Sequence, residues 1–420
     1  MDYSKFTSKV SEKRTENLIR TMAAIFFENP GIIPLAGGLP NTGTFPFKEI
    51  TVTFKDGTQH QFVGSELGTA LQYTSSKGYD PLIKIWREYQ QRWHSPPRDD
   101  WDVVTTTGGQ DAASKLFDLF IDEGDAIMVQ IPTYTGTLGA IHAFSPEFYG
   151  ITQDTDGVIP EKIEEVCEAR KKAGLPQPKL LFINPTGSNP TGTVLTEERR
   201  VKIYALAQKY DFLIIEDDPY YFVSFLEKRS TSLLSLDTDG RVIRLDSFSK
   251  ILSSGMRVGV LTAHKDIVRK IVTHIDSSTL HAPTLSQVLI HKLLVLWGPE
   301  KFEDHLNDVR DFYRAKRDVM TALVEKHLTG LAEWFPAHGG MFIWVKITVI
   351  DDVYDLVLNE FVANGVLVVP GHAFFYDPSK PDQHIRLSYS YAVPDEIDKA
   401  LGIIAKLIRE KAAKKVTNGN

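Results

Sequence analysis

The chain has 420 residues, 42% of them apolar and 24% charged, with a formal net charge of −7. That length exceeds one ordinary core, so two domains, or one large domain with an appended lobe, are expected. Interspersed charges with an acidic balance argue against a nucleic-acid partner or an anionic membrane, both of which select a basic patch.

The single cysteine, Cys167, can form no intrachain disulfide, and its Glu- and Lys-rich helical surroundings read as structural rather than reactive. Apolar runs such as Leu293–Trp297 are core-sized and too short to cross a membrane. At the start, Lys5, Lys9, Lys13, Arg14 and Arg20 are offset by Asp2, Glu12 and Glu16, whereas transit peptides are poor in acids. A cytoplasmic location is therefore expected, with the mitochondrial matrix as the alternative. The polar tail Lys411–Asn420 reads as a frayed end.

In chain order, residues 1–30 read as an arm followed by a helix from Leu18 to Phe27. The segment from Ile32 through Pro34, Gly37 and Gly38 to Pro40 is apolar and ends in paired glycines, which suits either a plain turn or close passage of backbone past a ligand. Lys55-Asp56-Gly57 is a hairpin-type turn, and Pro81–Trp93 reads as a helix. From residue 100 onward short apolar strands alternate with helices. Strands are expected at Val103–Thr107, Ala126–Gln130, Lys179–Ile183, Phe212–Glu216 and Arg241–Leu245. Helices are expected after Gly108 and at Glu161–Lys171 and Glu197–Lys209. The fold class that follows is α/β, a large domain with a mostly parallel sheet covered by helices.

A long helical stripe runs from Leu306 to Leu323. Beyond it, strands at Met341–Val345 and Val366–Val369 mix with helices at 352–364 and 394–409, which marks a smaller α+β domain. The expected division is 1–45 for an arm and part of the small domain, 46–300 for the large domain, and 301–420 for a connector helix and the small domain.

Several clusters sit where such sheets bind ligands, outside the carboxyl ends of strands. Asp246-Ser247-Phe248-Ser249-Lys250, with Arg257 seven residues on, suits a Schiff-base amine beside an anion site, although a lone S-x-S-K is more often a surface loop. Gly108-Gly109-Gln110 falls between a strand and a helix N-terminus, either a tight turn or a phosphate cradle. Asp217, at the end of an apolar strand, needs a cation or donor, although Asp217-Asp218-Pro219-Tyr220 taken alone is more often just a turn. Asn184–Gly192 contains N-P-T-G twice, and the second copy, which runs into a helix start, favours Asn189 over Asn184 as the working asparagine. Arg386, alone in the strand-like run His384–Ser390, either points inward to a carboxylate or lies at a solvated edge. Scattered histidines support no metal site, and no G-x-S-x-G elbow or nucleotide-binding fingerprint is present.

Taken together, the ordered set of glycine pair, tyrosine, N-P-T-G, D-x-x-Y, S-x-S-K with arginine, and a late arginine resembles the fold-type I pyridoxal-phosphate aminotransferases. Leu18–Met22, Leu35–Asn41, Ile214–Phe222 and Asp246–Ile251 carry a narrower resemblance to the kynurenine/α-aminoadipate aminotransferase group, with the fungal aromatic aminotransferases next. The resemblance implies pyridoxal 5′-phosphate as cofactor, held through the amine of Lys250, which would also shuttle the proton between Cα and C4′. It implies Asp217 on the pyridinium nitrogen, Asn189 and Tyr220 on the ring's phenolate oxygen, and Tyr134 stacked on the ring. The phosphate would take the Gly109 and Gln110 amides, Ser247, Ser249 and Arg257, with Tyr73 reaching it from a partner subunit of a homodimer with shared sites. Arg386, with Tyr134 and Asn189 beside it, would hold the substrate carboxylate. Arg20 and Gly38 would belong to a movable element over the substrate side chain. Gly109 departs from the serine common in the family, which keeps the amide but loses a hydroxyl.

The implied activity moves amino groups from L-kynurenine, L-2-aminoadipate or aromatic amino acids to 2-oxoglutarate. A pyridoxal-phosphate lyase or decarboxylase on the same fold is the alternative. An effector-sensing regulator would need a basic winged-helix domain ahead of the Phe54 hairpin, where the chain leaves little room.

Overall fold

The computed structural model describes residues 1–29, 31–33, 35, 36 and 38–418; Pro34 and Gly37 of the glycine-pair segment lie outside the described residues. The elements in order are α1 (Lys9–Glu12), α2 (Leu18–Glu28), β1 (Glu49–Thr53), β2 (Gln59–Val63), α3 (Gly64–Leu71), α4 (Asp80–His94), β3 (Trp101–Thr106) and α5 (Gly109–Phe120). They continue with β4 (Ala126–Ile131), α6 (Thr135–His142), β5 (Glu147–Asp154), β6 (Gly157–Val158), α7 (Pro160–Lys172), β7 (Leu180–Ile183), α8 (Glu197–Tyr210) and β8 (Leu213–Asp217). Then come β9 (Val242–Ser247), β10 (Gly259–His264), α9 (Lys265–Ser277), α10 (Thr284–Leu328), β11 (Ala332–Trp334), β12 (Phe342–Ile347), β13 (Val369–Pro370), β14 (His384–Ser388) and α11 (Pro394–Asn418). Contacts divide the chain into two compact units, Met1–Phe120 with Thr238–Phe302, and Ile121–Asp237 with Glu303–Asn420.

In the first unit β10 lies between β3 and β9 and is antiparallel to both. The hairpin of β1 and β2 packs Phe62 against Leu67, Ala70 and Val288, so its apolar face is covered by α3 and α10. Asn17 caps α2 by accepting from the amides of Ile19 and Arg20, which is why that helix starts at Leu18. α10 is interrupted at Gly298, whose φ of +67° is non-helical, followed by Pro299, which lacks an amide hydrogen.

The arm before α2 is tied down within this unit. Tyr3 donates to the Gly240 carbonyl at 2.6 Å, the Ser8 amide to Leu119 at 2.7 Å, and Arg14 pairs with Asp118. Burial pushes the Asp118 carboxyl up, but hydrogen bonds from His274 and Arg14 more than reverse this and hold it at about 2 rather than 3.8. A carboxyl depressed by folding stabilises the fold fully above its unfolded pKa and loses that contribution as pH falls toward its folded value. Hydrogen-exchange protection of residues 9–14 is therefore expected to persist above pH 4 and to fall between pH 4 and 2. An Asp118→Asn variant should show the loosened arm already at neutral pH.

In the second unit β8, β7, β4 and β5 form a run of parallel strands, in register at Leu181 with Ile214, Ile127 with Leu180 and Ala126 with Glu147. All four residues of β7 are buried, which is what a parallel strand covered on both faces requires. The antiparallel sheet β11-β12-β14-β13 forms the smaller layer around Ile343, Val345, Ile385, Leu387 and the apolar face of α11. The fold class is the expected one.

Details differ at the C-terminal end. The strand expected at 366–369 is only Val369–Pro370, and the helix expected at 352–364 has a wide π-type turn at Leu356–Phe361. The tail expected to fray continues α11 to Asn418, because Ala412, Ala413 and the lysines around them favour helix. Cys167 is buried on α7, and burial, assisted by Glu168 and Glu164, pushes its thiol up to about 12. Among the described residues no helix is long and apolar enough to cross a membrane.

Candidate active site

In the first unit one glycine brings two turns together. Gly259 opens β10 and stands opposite both Thr106, at the end of β3, and Ser247, at the end of β9. A Cβ on Gly259 would lie 2.7 Å from the carbonyl carbon of Gly108, so only glycine permits the approach. Gly108 has φ +85°, and a Cβ there would lie 2.4 Å from Arg257 Nη2; the guanidinium rests against the bare α-carbon. Arg257, itself at φ +52°, donates to the Thr107 and Ser254 carbonyls at 3.2 Å each. α5 begins at Gly109, so its first amides are not consumed by the helix, while the Asp111 carboxylate accepts from Thr107 N at 2.9 Å. Ser247 Oγ accepts from the Ser249 amide at 3.2 Å, and half-buried Lys250 follows in the same turn. Gly109, Gln110, Ser247, Ser249, Lys250 and Arg257 are thus gathered at one end of the three strands.

The two glycines of this turn differ in what they allow. Nothing lies within 4 Å of a Cβ built on Gly109, whereas Gly108 combines positive φ with the arginine. A Gly109→Ser variant is expected to unfold in urea within about 0.5 kcal/mol of the parent. Gly108→Ala is expected to lose about 1–2 kcal/mol for the left-handed backbone alone and to displace Arg257.

Arg20 and Tyr73 also meet in this unit. Arg20 donates from Nε to Ser76 Oγ at 3.1 Å and from Nη2 to the Thr74 carbonyl at 2.8 Å, with Asp276 3.8 Å away. The arginine expected on a movable element is therefore anchored here on the Thr74–Ser76 segment. Tyr73 is 45% exposed and sets its ring edge-on to His281 at 5.7 Å. Gly38 is exposed in the irregular segment that follows α2. A cavity of about 790 Å³ is lined by Phe26, Phe27, Asn41, Tyr73, Lys77 and Tyr79 among others.

In the second unit the geometry follows from parallel pairing. Because β4, β7 and β8 run the same way, Tyr134 and Asn184, which follow β4 and β7, and Asp217, which ends β8, lie toward the same end of these strands. Strand alternation sends the neighbouring acids to opposite faces. Glu216 turns inward, accepting from the Leu233 and Leu234 amides at 2.8 and 3.3 Å with Arg200 at 3.6 Å; Asp217 is left at the strand's open end. Tyr220 is 4% exposed; burial pushes its hydroxyl above the usual phenol range, with Arg386 opposing and Asp217 reinforcing the shift. It stays a protonated donor at neutral pH.

The doubled N-P-T-G is resolved by its glycines and amides. Gly187 (φ +57°) and Gly192 (φ +71°) are the close-approach positions: added Cβ atoms would lie 2.3 Å from Gly340 N and 2.7 Å from the Phe342 carbonyl. The loop therefore docks on the segment leading into β12, and β12 pairs with β14, where Arg386 stands opposite Trp344. Asn189 consequently faces Arg386, whose Nη1 donates to Asn189 Oδ1 at 2.8 Å. The guanidinium also lies 4.1 Å from the Phe342 ring centre and 5.1 Å from that of Phe374, and its Nε has no hydrogen-bond partner among the described residues. Burial lowers the Arg386 pKa, while Tyr220 and Tyr134 raise it. A half-buried cation beside aromatic rings is the kind of group that can pair with a carboxylate. Asn189 contacts Arg386, and Tyr134 and Tyr220 lie close enough to act on its charge; Phe342 and Phe374 carried no signal beyond being apolar.

The family model described as aminotransferase class I and II matches residues 31–404. The chain is 40% identical to the mitochondrial kynurenine/alpha-aminoadipate aminotransferase of Bos taurus, over 98% of this chain and 100% of that one. Among solved structures, aminotransferase Aro8 from Candida albicans superposes with a TM-score of 0.87 at 28% identity, covering 98% of this chain and 99% of that one. The Pyrococcus horikoshii kynurenine aminotransferase, solved with PMP, KYN and KYA, gives 0.77 at 30% identity, covering 98% of each chain.

Proposed function

The chain belongs to the class I and II aminotransferases, and from that premise we propose that it moves the amino group of L-kynurenine, L-2-aminoadipate or an aromatic amino acid to 2-oxoglutarate, with pyridoxal 5′-phosphate as cofactor. The observation that carries this reading is the Asn189–Arg386 pair beside Tyr220, a receptor for an α-carboxylate. Fit to the cofactor is supported by Gly108, where an added Cβ would collide with Arg257 beside the open N-terminus of α5.

The cofactor supplies an electron sink that stabilises the carbanion left at the substrate's Cα. The Gly109 and Gln110 amides, Ser247, Ser249 and Arg257 would bind its phosphate. Asp217 would keep the ring nitrogen protonated, Asn189 and Tyr220 would hydrogen-bond its phenolate oxygen, and Tyr134 would cover its face. Lys250 would hold the cofactor between turnovers and carry the proton from Cα. Arg386 would orient the carboxylate so that the Cα–H bond breaks. Tyr73, being well exposed, suits a contact across a homodimer, and Arg20 and Gly38 would belong to the element over the substrate side chain. The cytoplasm is the compartment read from sequence; the mitochondrial alternative is supported by the names of the mammalian relatives, which say mitochondrial.

The test is a half-reaction. L-glutamate should bleach the bound cofactor's absorbance and 2-oxoglutarate should restore it, after which a panel of donors ranks kynurenine, 2-aminoadipate and the aromatic amino acids. Release of CO2 or ammonia without bleaching would instead favour a lyase or decarboxylase.

A further inference from the structure

We infer that Asn184, the asparagine of the first N-P-T-G copy, is a positioning residue that sets the cofactor-side acid and the carboxylate receptor against each other. The residue is 5% exposed, and both ends of its carboxamide are used. Nδ2 donates to the Asp217 carbonyl at 2.6 Å, and Oδ1 accepts from the Asn189 amide at 2.8 Å. Asn189 Oδ1 in turn holds Arg386 at 2.8 Å. One planar group therefore spans the end of β8, which carries Asp217, and the loop residue that orients Arg386.

The Asn184 backbone is fixed independently. Its amide donates to Gln130 Oε1 at 2.9 Å, while Gln130 Nε2 donates to Ser188 Oγ at 2.7 Å and to Gln153 Oε1 at 3.0 Å. A buried carboxamide pinned at its backbone and at both polar ends has little freedom, so it transmits position rather than filling space. The motif's repetition then has a division of labour. The second asparagine touches the ligand-binding arginine, and the first braces it against Asp217.

This inference rests on the transaminase reading, and its test separates the two. Holoenzymes of the parent, Asn184→Ala and Asn184→Asp are compared in three ways: pyridoxal-phosphate affinity by titration of the apo form, the Michaelis constant for the oxo acid acceptor 2-oxoglutarate, and Tm. Asn184→Ala loses both bonds, so cofactor affinity should fall and the Michaelis constant should rise, each by about tenfold. Asn184→Asp keeps the acceptor for the Asn189 amide but faces the Asp217 carbonyl with a carboxylate oxygen. It should weaken cofactor binding by about tenfold while holding the Michaelis constant within about twofold of the parent. A merely structural residue would lower Tm in both variants without this split. The inference is overturned if Asn184→Ala matches the parent in both constants, or if Asn184→Asp shifts both together; should Asn184→Ala fail to fold, Asn184→Asp alone decides. A parent chain that does not bleach with L-glutamate overturns the functional reading itself, whereas a parent that bleaches beside an unaffected Asn184→Ala overturns only the brace.

Discussion

Replacing Lys250 with alanine is expected to lower turnover with L-glutamate and 2-oxoglutarate by at least about a thousandfold, since both the covalent anchor and the proton carrier are lost. Lys250 lies half-buried in a turn after β9, and the strand register around it is set by Gly259, Thr106 and Ser247. The variant should therefore fold with a Tm near the parent's, making the loss chemical rather than structural. Borohydride treatment of the parent should fix the cofactor to the peptide containing Lys250. Turnover by Lys250→Ala at the parent's rate, or a label on another lysine, would remove the basis of the mechanism.

Arg386→Lys is expected to reduce catalytic efficiency toward 2-oxoglutarate by about 10²–10³, mostly through a raised Michaelis constant, with cofactor affinity unchanged. The guanidinium is planar, lies between Phe342 at 4.1 Å and Phe374 at 5.1 Å, and spends one donor on Asn189. A guanidinium can meet a carboxylate with two parallel bonds; an ammonium keeps the charge but offers no such fork and stacks less well on an aromatic ring. Steady-state kinetics together with apo-enzyme titration separates the two effects. An unchanged Michaelis constant for the oxo acid would show that the carboxylate is held elsewhere.

Much of this was legible in the sequence because it rests on local rules. The apolar runs at 126–131, 180–183 and 213–217 mark buried strands whatever they pair with. Gly108 and Gly109 before a helical pattern announce an open helix N-terminus, and a lysine after a buried strand stands out among hydroxyls. The resemblance to a known family then assigned roles that spacing alone could not.

What stayed hidden depends on pairing between distant segments. β10 reads as one more apolar run, yet its first residue aligns the turns at Gly108 and Ser247. Glu216 and Asp217 are adjacent acids, and only the fold shows that the amides of Leu233 and Leu234 come to Glu216. Asn184 and Asn189 sit in identical tetrapeptides and differ in what folds against them.

By itself, then, the amino-acid sequence determined the α/β class, the strand–helix alternation and the inventory of reactive groups, since periodicity and side-chain chemistry are properties of the chain alone. Tertiary structure decided which of two equal asparagines faces Arg386, which acid stays at the strand's end and how the guanidinium is walled. Those choices turn on approaches between residues far beyond one turn of chain, from Glu216 against Leu233 to Gly187 against Gly340, where no local preference acts.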